Sequence, residues 1–289
     1  MNYLSPSSFS LFRRDRDLFV RKYFGKWPKE SQTFPMAVGS AFDAFVKADL
    51  ATRLGLGKPE FAFETMFQTQ VEAQHRDEGR KAGKVLYEAY SSFGCLADLL
   101  KQMQTSRGVP AIETSVSGVV GGVPLLGKPD IRFSTSEGLH VVWDFKVNGW
   151  VTPASPKPRY VIIRPTGTRH KDAIVEIVGG IPINVNGFME DVDADWATQL
   201  AIYAWLCGET PGGGFVVAID QLVIRDGVVR VAEHRNLIGE GFQQKLLEQL
   251  QDAWKCITND WLYPDLTHQE SIARQEMVCQ QMDGFGGLV

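Results

Sequence analysis

Gly127-Lys128-Pro129-Asp130 and Asp144-Phe145-Lys146 lie one short hairpin apart. Together they supply two carboxylates and an ammonium, groups that hold a divalent ion and activate water. Val141 to Val147 reads as a buried strand, and its alternation puts Asp144 and Lys146 on one face with Trp143 and Phe145 on the other. Ile131-Arg132-Phe133 continues a strand out of Asp130, and the polar stretch from Ser134 to Gly138 turns the chain back, so Asp130 can sit beside Asp144. Hard oxygen ligands select Mg²⁺ or Mn²⁺, and a neighbouring ammonium can orient or deprotonate the attacking water. The chemistry implied is phosphodiester hydrolysis. The competing reading makes Asp130 a turn cap and Asp144 with Lys146 an ion pair on a solvated face.

Asp193 to Leu206 reads as a helix opened by an Asp cap, with Trp196, Leu200 and Tyr203 on one stripe. Gln199 and Tyr203 are one turn apart and can point at the same spot. Taken in order, Gly127 to Asp130, Asp144 to Lys146 and Gln199 to Tyr203 resemble the PD-(D/E)xK nuclease superfamily, specifically its RecB-like exonuclease branch, phage-type proteins included. The resemblance runs from about Leu4 to Leu206. It implies a restriction-endonuclease-like α/β core, a central mixed sheet flanked by helices, with Asp130, Asp144, Lys146, Gln199 and Tyr203 at the catalytic centre and Mg²⁺ or Mn²⁺ as cofactor.

Two further ligands follow from the resemblance. Gly39 to Asp43 matches a small-residue helix whose last position is often a histidine completing the metal shell, and here that position is Asp43. Glu113, on a strand predicted over Ala111 to Val116 and paired with Val123 to Phe133 through the Gly121-Gly122 turn, is a candidate ligand or supporting residue. The alternative for both is a solvated carboxylate. Leu4 to Phe9 forms a helix start of the kind common in the family, with Ser5 at the cap, Pro6 first in the helix and Leu4 stapled to Phe9.

Periodicity predicts helices over Phe34 to Leu50, Glu60 to His75 and Asp77 to Met103, strands from Ala111 to Val147, the Asp193 helix, two more strands and a final helix. The stripe Leu86, Tyr90, Phe93, Ala97, Leu100 reads as core. No Pro/Ser-rich linker divides the chain, so one nuclease domain is expected over 1–289. Its parts are a helical region over 1–105, a core over 106–147 and 193–236, an inserted β-ribbon over 148–192, and a C-terminal helix and tail over 237–289. Within the insertion, Ile174 to Val178 and Ile181 to Val185 suggest a hairpin.

From Phe145 to Lys171 no residue is acidic, and Lys157, Arg159, Arg164, Arg169 and Lys171 form a cationic stretch able to meet DNA phosphates. Tyr160 and His170 are candidates for base stacking. Arg13, Arg14, Arg16, Arg21 and Lys22, interleaved with Asp15 and Asp17 on the first helix, read as a charged helix face. A net charge of −4 argues against a nonspecific DNA coat protein, but not against a nuclease, whose ligands are themselves acidic. Cys95, Cys207, Cys256 and Cys279 contain no CxxC, which suggests neither zinc nor a disulfide framework. Some RecB-like nucleases carry an iron-sulfur cluster, but Arg and Asp stand where its early cysteine would fall, so no cluster is expected.

Expected partners are DNA, as single strands or duplex ends, and a recombination or replication protein, with no membrane contact and an intracellular location, bacterial cytoplasmic or phage-encoded. Two other functions stay open: an inactive DNA-binding or assembly module, and a structure-specific endonuclease such as a junction resolvase.

Overall fold

The structure is a computed structural model that describes residues 1–25, 27–28, 30–148, 160–163, 174–225 and 228–280. Six helices come first: α1 (Pro6–Arg14), α2 (Arg16–Tyr23), α3 (Phe34–Arg53), α4 (Phe63–Gln70), α5 (Arg76–Ser92) and α6 (Cys95–Gln104). Eight strands follow: β1 (Arg107–Ile112), β2 (Val116–Val120), β3 (Val123–Gly127), β4 (Ile131–Ser134), β5 (His140–Asn148), β6 (Tyr160–Ile163), β7 (Val175–Val178) and β8 (Ile181–Asn184). The chain continues through α7 (Met189–Val192), α8 (Ala194–Leu206), β9 (Val216–Arg225), β10 (Val228–Leu237), α9 (Glu240–Thr258) and α10 (His268–Gln280).

Among the described residues the main sheet has the order β1-β4-β5-β9-β10-β6. It is mixed: β5 runs parallel to β9 and β10 parallel to β6, while the other neighbours are antiparallel. Strand alternation divides β5 between two cores. Val141, Trp143 and Phe145 pack with α3, α5 and α6 on one side of the sheet, and Val142 packs with α1, α8 and α9 on the other. This α/β layering, a mixed sheet flanked by helices, is the architecture expected from the sequence. The inserted hairpin also forms, as β7 and β8 around Gly179-Gly180.

Several boundaries differ from the expectation. The first helix stops at Asp15, which caps α2 by accepting the Leu18 N–H at 2.9 Å, so the arginine cluster spans two helices. The helix expected over Asp77 to Met103 breaks at Gly94, whose φ of +84° favours a residue without a Cβ. The Glu60 to His75 segment contains only α4 between two short 3₁₀ turns. One expected C-terminal helix is two, α9 and α10. The insertion does more than form a ribbon, because β6 adds an edge strand to the main sheet beside β10.

The strand expected through Glu113 is also corrected. β1 ends at Ile112 and pairs with β4, whereas β2 and β3 form a separate hairpin around Gly121-Gly122. Glu113 stands in the break with φ +54°, a left-handed conformation costing about 1 kcal/mol for a residue with a Cβ. Its N–H bonds the Asp130 carbonyl at 2.9 Å, which ties the break to the start of β4. Leu4 bridges to β3, its N–H reaching Pro124 O and its carbonyl accepting from Leu126 N, both at 2.9 Å. With the Ser5 cap and the buried Leu4 and Phe9 formed as expected, this seats the start of α1 beside Gly127.

Candidate active site

The β4–β5 hairpin brings Asp130 beside Asp144. Ile131 is paired with Trp143, and the Asp130 Oδ2 accepts the Phe145 N–H at 2.8 Å. This places the charge of Asp130 next to the Asp144 carboxyl. Asp144 is 3% exposed, and burial, reinforced by the charge of Asp130, pushes its carboxyl well above the usual range against the pull of Lys146. Burial acts the same way on Asp130, but the Lys47 ammonium, hydrogen bonds from Asp144 and Lys47, and the Phe145 N–H outweigh it and hold Asp130 below that range. The two carboxyls are thus pushed in opposite directions, Asp144 up and Asp130 down.

Lys146 projects from β5 on the Asp144 face, as alternation requires. Its ammonium ion-pairs with Asp144 and donates to Gln199 Oε1 at 2.8 Å. The Gln199 amide in turn donates to the Tyr203 hydroxyl at 3.1 Å. Burial, then the Asp144 charge, pushes the Tyr203 phenol up to about 12, so at neutral pH it is a neutral partner for the amide. The α8 helix holds this relay because Asp193 caps it, accepting from Asp195 N at 2.9 Å and Trp196 N at 3.0 Å. Tyr203 lies against Gly127, where an added Cβ would come within 2.6 Å of the ring. The glycine of the first motif is thus the seat of the tyrosine of the third.

Lys47 was not among the residues predicted for the site. One turn after Asp43 on α3, it is completely buried and its ammonium ion-pairs with Asp43, with Glu113 and, at 2.6 Å, with Asp130. The three carboxylates outweigh desolvation and hold Lys47 charged. Asp43 lies against Lys47 rather than in solvent, and burial and then Asp130 push its carboxyl up to about 7 despite Lys47. Glu113 also ion-pairs with Lys128. The sequence does carry a signal for Lys47: a cation inside the apolar run Phe42 to Leu50, four residues after a carboxylate.

A cleft of about 630 Å³ opens over this centre, lined by Ser5, Ser7, Ser115, Lys128, Lys146, Trp196, Gln199 and Tyr203. Lys128 and Lys146, which contact Glu113 and Asp144, face the cleft, so the carboxylates lie just beneath its wall. The donor set suits a hard divalent ion. Oxygens of Asp43, Glu113 and Asp130 lie within 4.8 Å of one another, and Asp43 Oδ1 is buried without a hydrogen-bond partner. Lys157, Arg159, Arg164, Arg169, Lys171 and His170 lie outside the described residues, as does the side chain of Tyr160. Among the described residues no helix is long and apolar enough to cross a membrane.

No protein-family model and no curated protein matches the chain. Solved structures similar to it include the following two. One is a candidate exonuclease from Eubacterium rectale, 13% identical, matched over 99% of this chain and 94% of that one at a TM-score of 0.47. The other is a protein named SSO0001, 10% identical over 85% and 84% of the two chains at a TM-score of 0.31.

Proposed function

We propose that this chain is a Mg²⁺- or Mn²⁺-dependent deoxyribonuclease of the RecB-like PD-(D/E)xK type, acting as an exonuclease in DNA processing, recombination or repair. One observation carries the reading. Asp130, Asp144, Lys146, Gln199 and Tyr203, predicted from three separate stretches of sequence, form one connected constellation beneath an open cleft. In this reading Asp130 and Asp144 hold the ion, with Glu113 and Asp43 beside them. The bound ion supplies Lewis-acid polarisation of the phosphate and a lowered pKa for the attacking water.

The chain's own groups do the rest. Lys146 orients the water and takes part in its proton transfer, Gln199 fixes the direction of the Lys146 ammonium, and Tyr203 fixes the Gln199 amide. Lys128, half exposed at the cleft, meets a phosphate of the substrate. The inserted cations at Lys157, Arg159, Arg164, Arg169 and Lys171 guide the strand toward the cleft. The whole chain acts as one nuclease unit with 148–192 as its insertion.

A specific observation supports a second reading, an inactive DNA-binding module: Lys47 already neutralises part of the carboxylate cluster. Incubation with labelled linear and circular DNA, single- and double-stranded, in Mg²⁺ or Mn²⁺ separates the two. Degradation confined to linear DNA supports the exonuclease, cutting of circles indicates an endonuclease, and binding without degradation supports the inactive module.

A further inference from the structure

We propose that the Lys47 ammonium is a permanent cation of the active site, filling the position of a second metal ion, so that the site takes one divalent ion, between Asp130 and Asp144. The inference rests on the metal-dependent reading above and adds its stoichiometry. Paired catalytic ions sit roughly 3.5–4 Å apart and are bridged by shared carboxylates. Here the shared carboxylate is Asp130, which faces Lys47 with Oδ1 at 2.6 Å, while its Oδ2 accepts the Phe145 N–H at 2.8 Å, next to Asp144. Lys47 therefore stands where one of two bridged ions would stand.

It is also held there. The side chain is completely buried, and the neighbouring Ala44, Val46, Ala48 and Leu50 of α3 are buried as well. Withdrawing any of its three carboxylate partners would leave buried charge uncompensated, which is costly. Asp43 and Glu113 are thereby engaged by an internal cation, and Glu113 is drawn further away by Lys128. Among the described residues Lys47 ion-pairs with Asp43, Glu113 and Asp130, whereas Asp144 ion-pairs with Lys146. The Asp144 Oδ2 is ion-paired with Lys146 at the cleft and not with Lys47, so an entering ion would bind it by displacing that ammonium.

The test is Mn²⁺ binding to the full chain, by calorimetry and by electron paramagnetic resonance of the bound ion, in wild type and in Lys47→Gln. The expected result is one Mn²⁺ per wild-type chain and a second ion in Lys47→Gln, with spin coupling between the two. Two ions in the wild type overturn the inference while leaving the metal reading intact, a result that does not depend on the variant folding. A Lys47→Gln protein that folds and still takes one ion with unchanged affinity overturns it too. No Mn²⁺ binding to either protein removes the metal reading itself, and this inference with it.

Discussion

Gly127→Ala is expected to disable the site without touching any charged group in it. The added methyl carbon would lie 2.6 and 2.8 Å from two ring carbons of Tyr203 and 3.1 Å from Leu206 Cδ1. Carbon contacts are most favourable at roughly 3.5–4 Å, so the ring must retreat by roughly 1 Å. Tyr203 is 8% exposed and packed in the α8-side core, which leaves it little room. Overpacking of this kind costs about 1–3 kcal/mol. The displacement passes to Gln199 through the 3.1 Å hydrogen bond and to Lys146 through the 2.8 Å one. A misplacement of about 1 Å reduces the rate on the order of 10²-fold. Denaturant unfolding and single-turnover cleavage of labelled DNA measure the two effects. Combining Gly127→Ala with Tyr203→Leu should recover part of the lost stability, because the two sites are in contact. A Gly127→Ala protein with wild-type stability and cleavage rate would refute the seating of Tyr203 on this glycine.

Lys146→Ala should keep Mn²⁺ and DNA affinity while the chemical step slows on the order of 10²-fold or more, and Lys146→Arg should not restore it, because guanidinium stays protonated; a wild-type single-turnover rate would return Lys146 to a simple ion pair. The raised carboxyls of Asp144 and Asp43 set a pH dependence: their proton-bound stabilisation is complete below about pH 4 and is lost as pH rises through the folded pKa, about 7 for Asp43. In EDTA the melting temperature should therefore fall between pH 5 and 8, by an equivalent of at most about 3 kcal/mol from Asp43, with Mn²⁺ flattening the trend; a metal-free protein that grows more stable over this range would contradict the assignment. Asp130 acts in the opposite sense and weakens the fold only at acid pH, since its carboxyl is held below the usual range. Neutralising Lys157, Arg159, Arg164 and Arg169 together should weaken DNA binding and flatten its salt dependence with little effect on Mn²⁺ affinity, whereas an unchanged salt slope would make them solvated surface.

What was legible in the sequence was local. The face shared by Asp144 and Lys146 follows from a period of two, the Gln199–Tyr203 contact from one helical turn, and the Ser5 cap from a hydroxyl before a proline. What was not legible depends on distant partners. The apolar run around Lys47 marks it as a cation out of place, but its partners Glu113 and Asp130 lie far along the chain and no local spacing names them. Glu113 carries no Gly or Asn signal for its left-handed backbone, so the strand was read straight through it. β6 pairs in parallel with β10, a non-local choice that no turn residue announces. Helix ends were missed for a related reason, since Asp15 both closes α1 and caps α2, a double role that hydrophobic spacing does not reveal. Support behind the site was equally hidden. Buried Asp220 accepts from Tyr90, from Trp143 Nε1 at 3.2 Å and from Arg235 Nη2 at 2.5 Å. Arg235 in turn lies 3.7 Å over the Trp143 ring, so β5 is braced on the face opposite Asp144.

The central claim, that Asp130 and Asp144 hold the ion that makes this a nuclease, is tested most directly by single-turnover degradation of end-labelled linear DNA, comparing wild type with Asp144→Asn in Mn²⁺ and in EDTA. The account predicts degradation by the wild type in Mn²⁺, none in EDTA, and a loss on the order of 10²-fold or more in the variant. Degradation that persists in EDTA, or an Asp144→Asn protein that cuts at the wild-type rate, would contradict it.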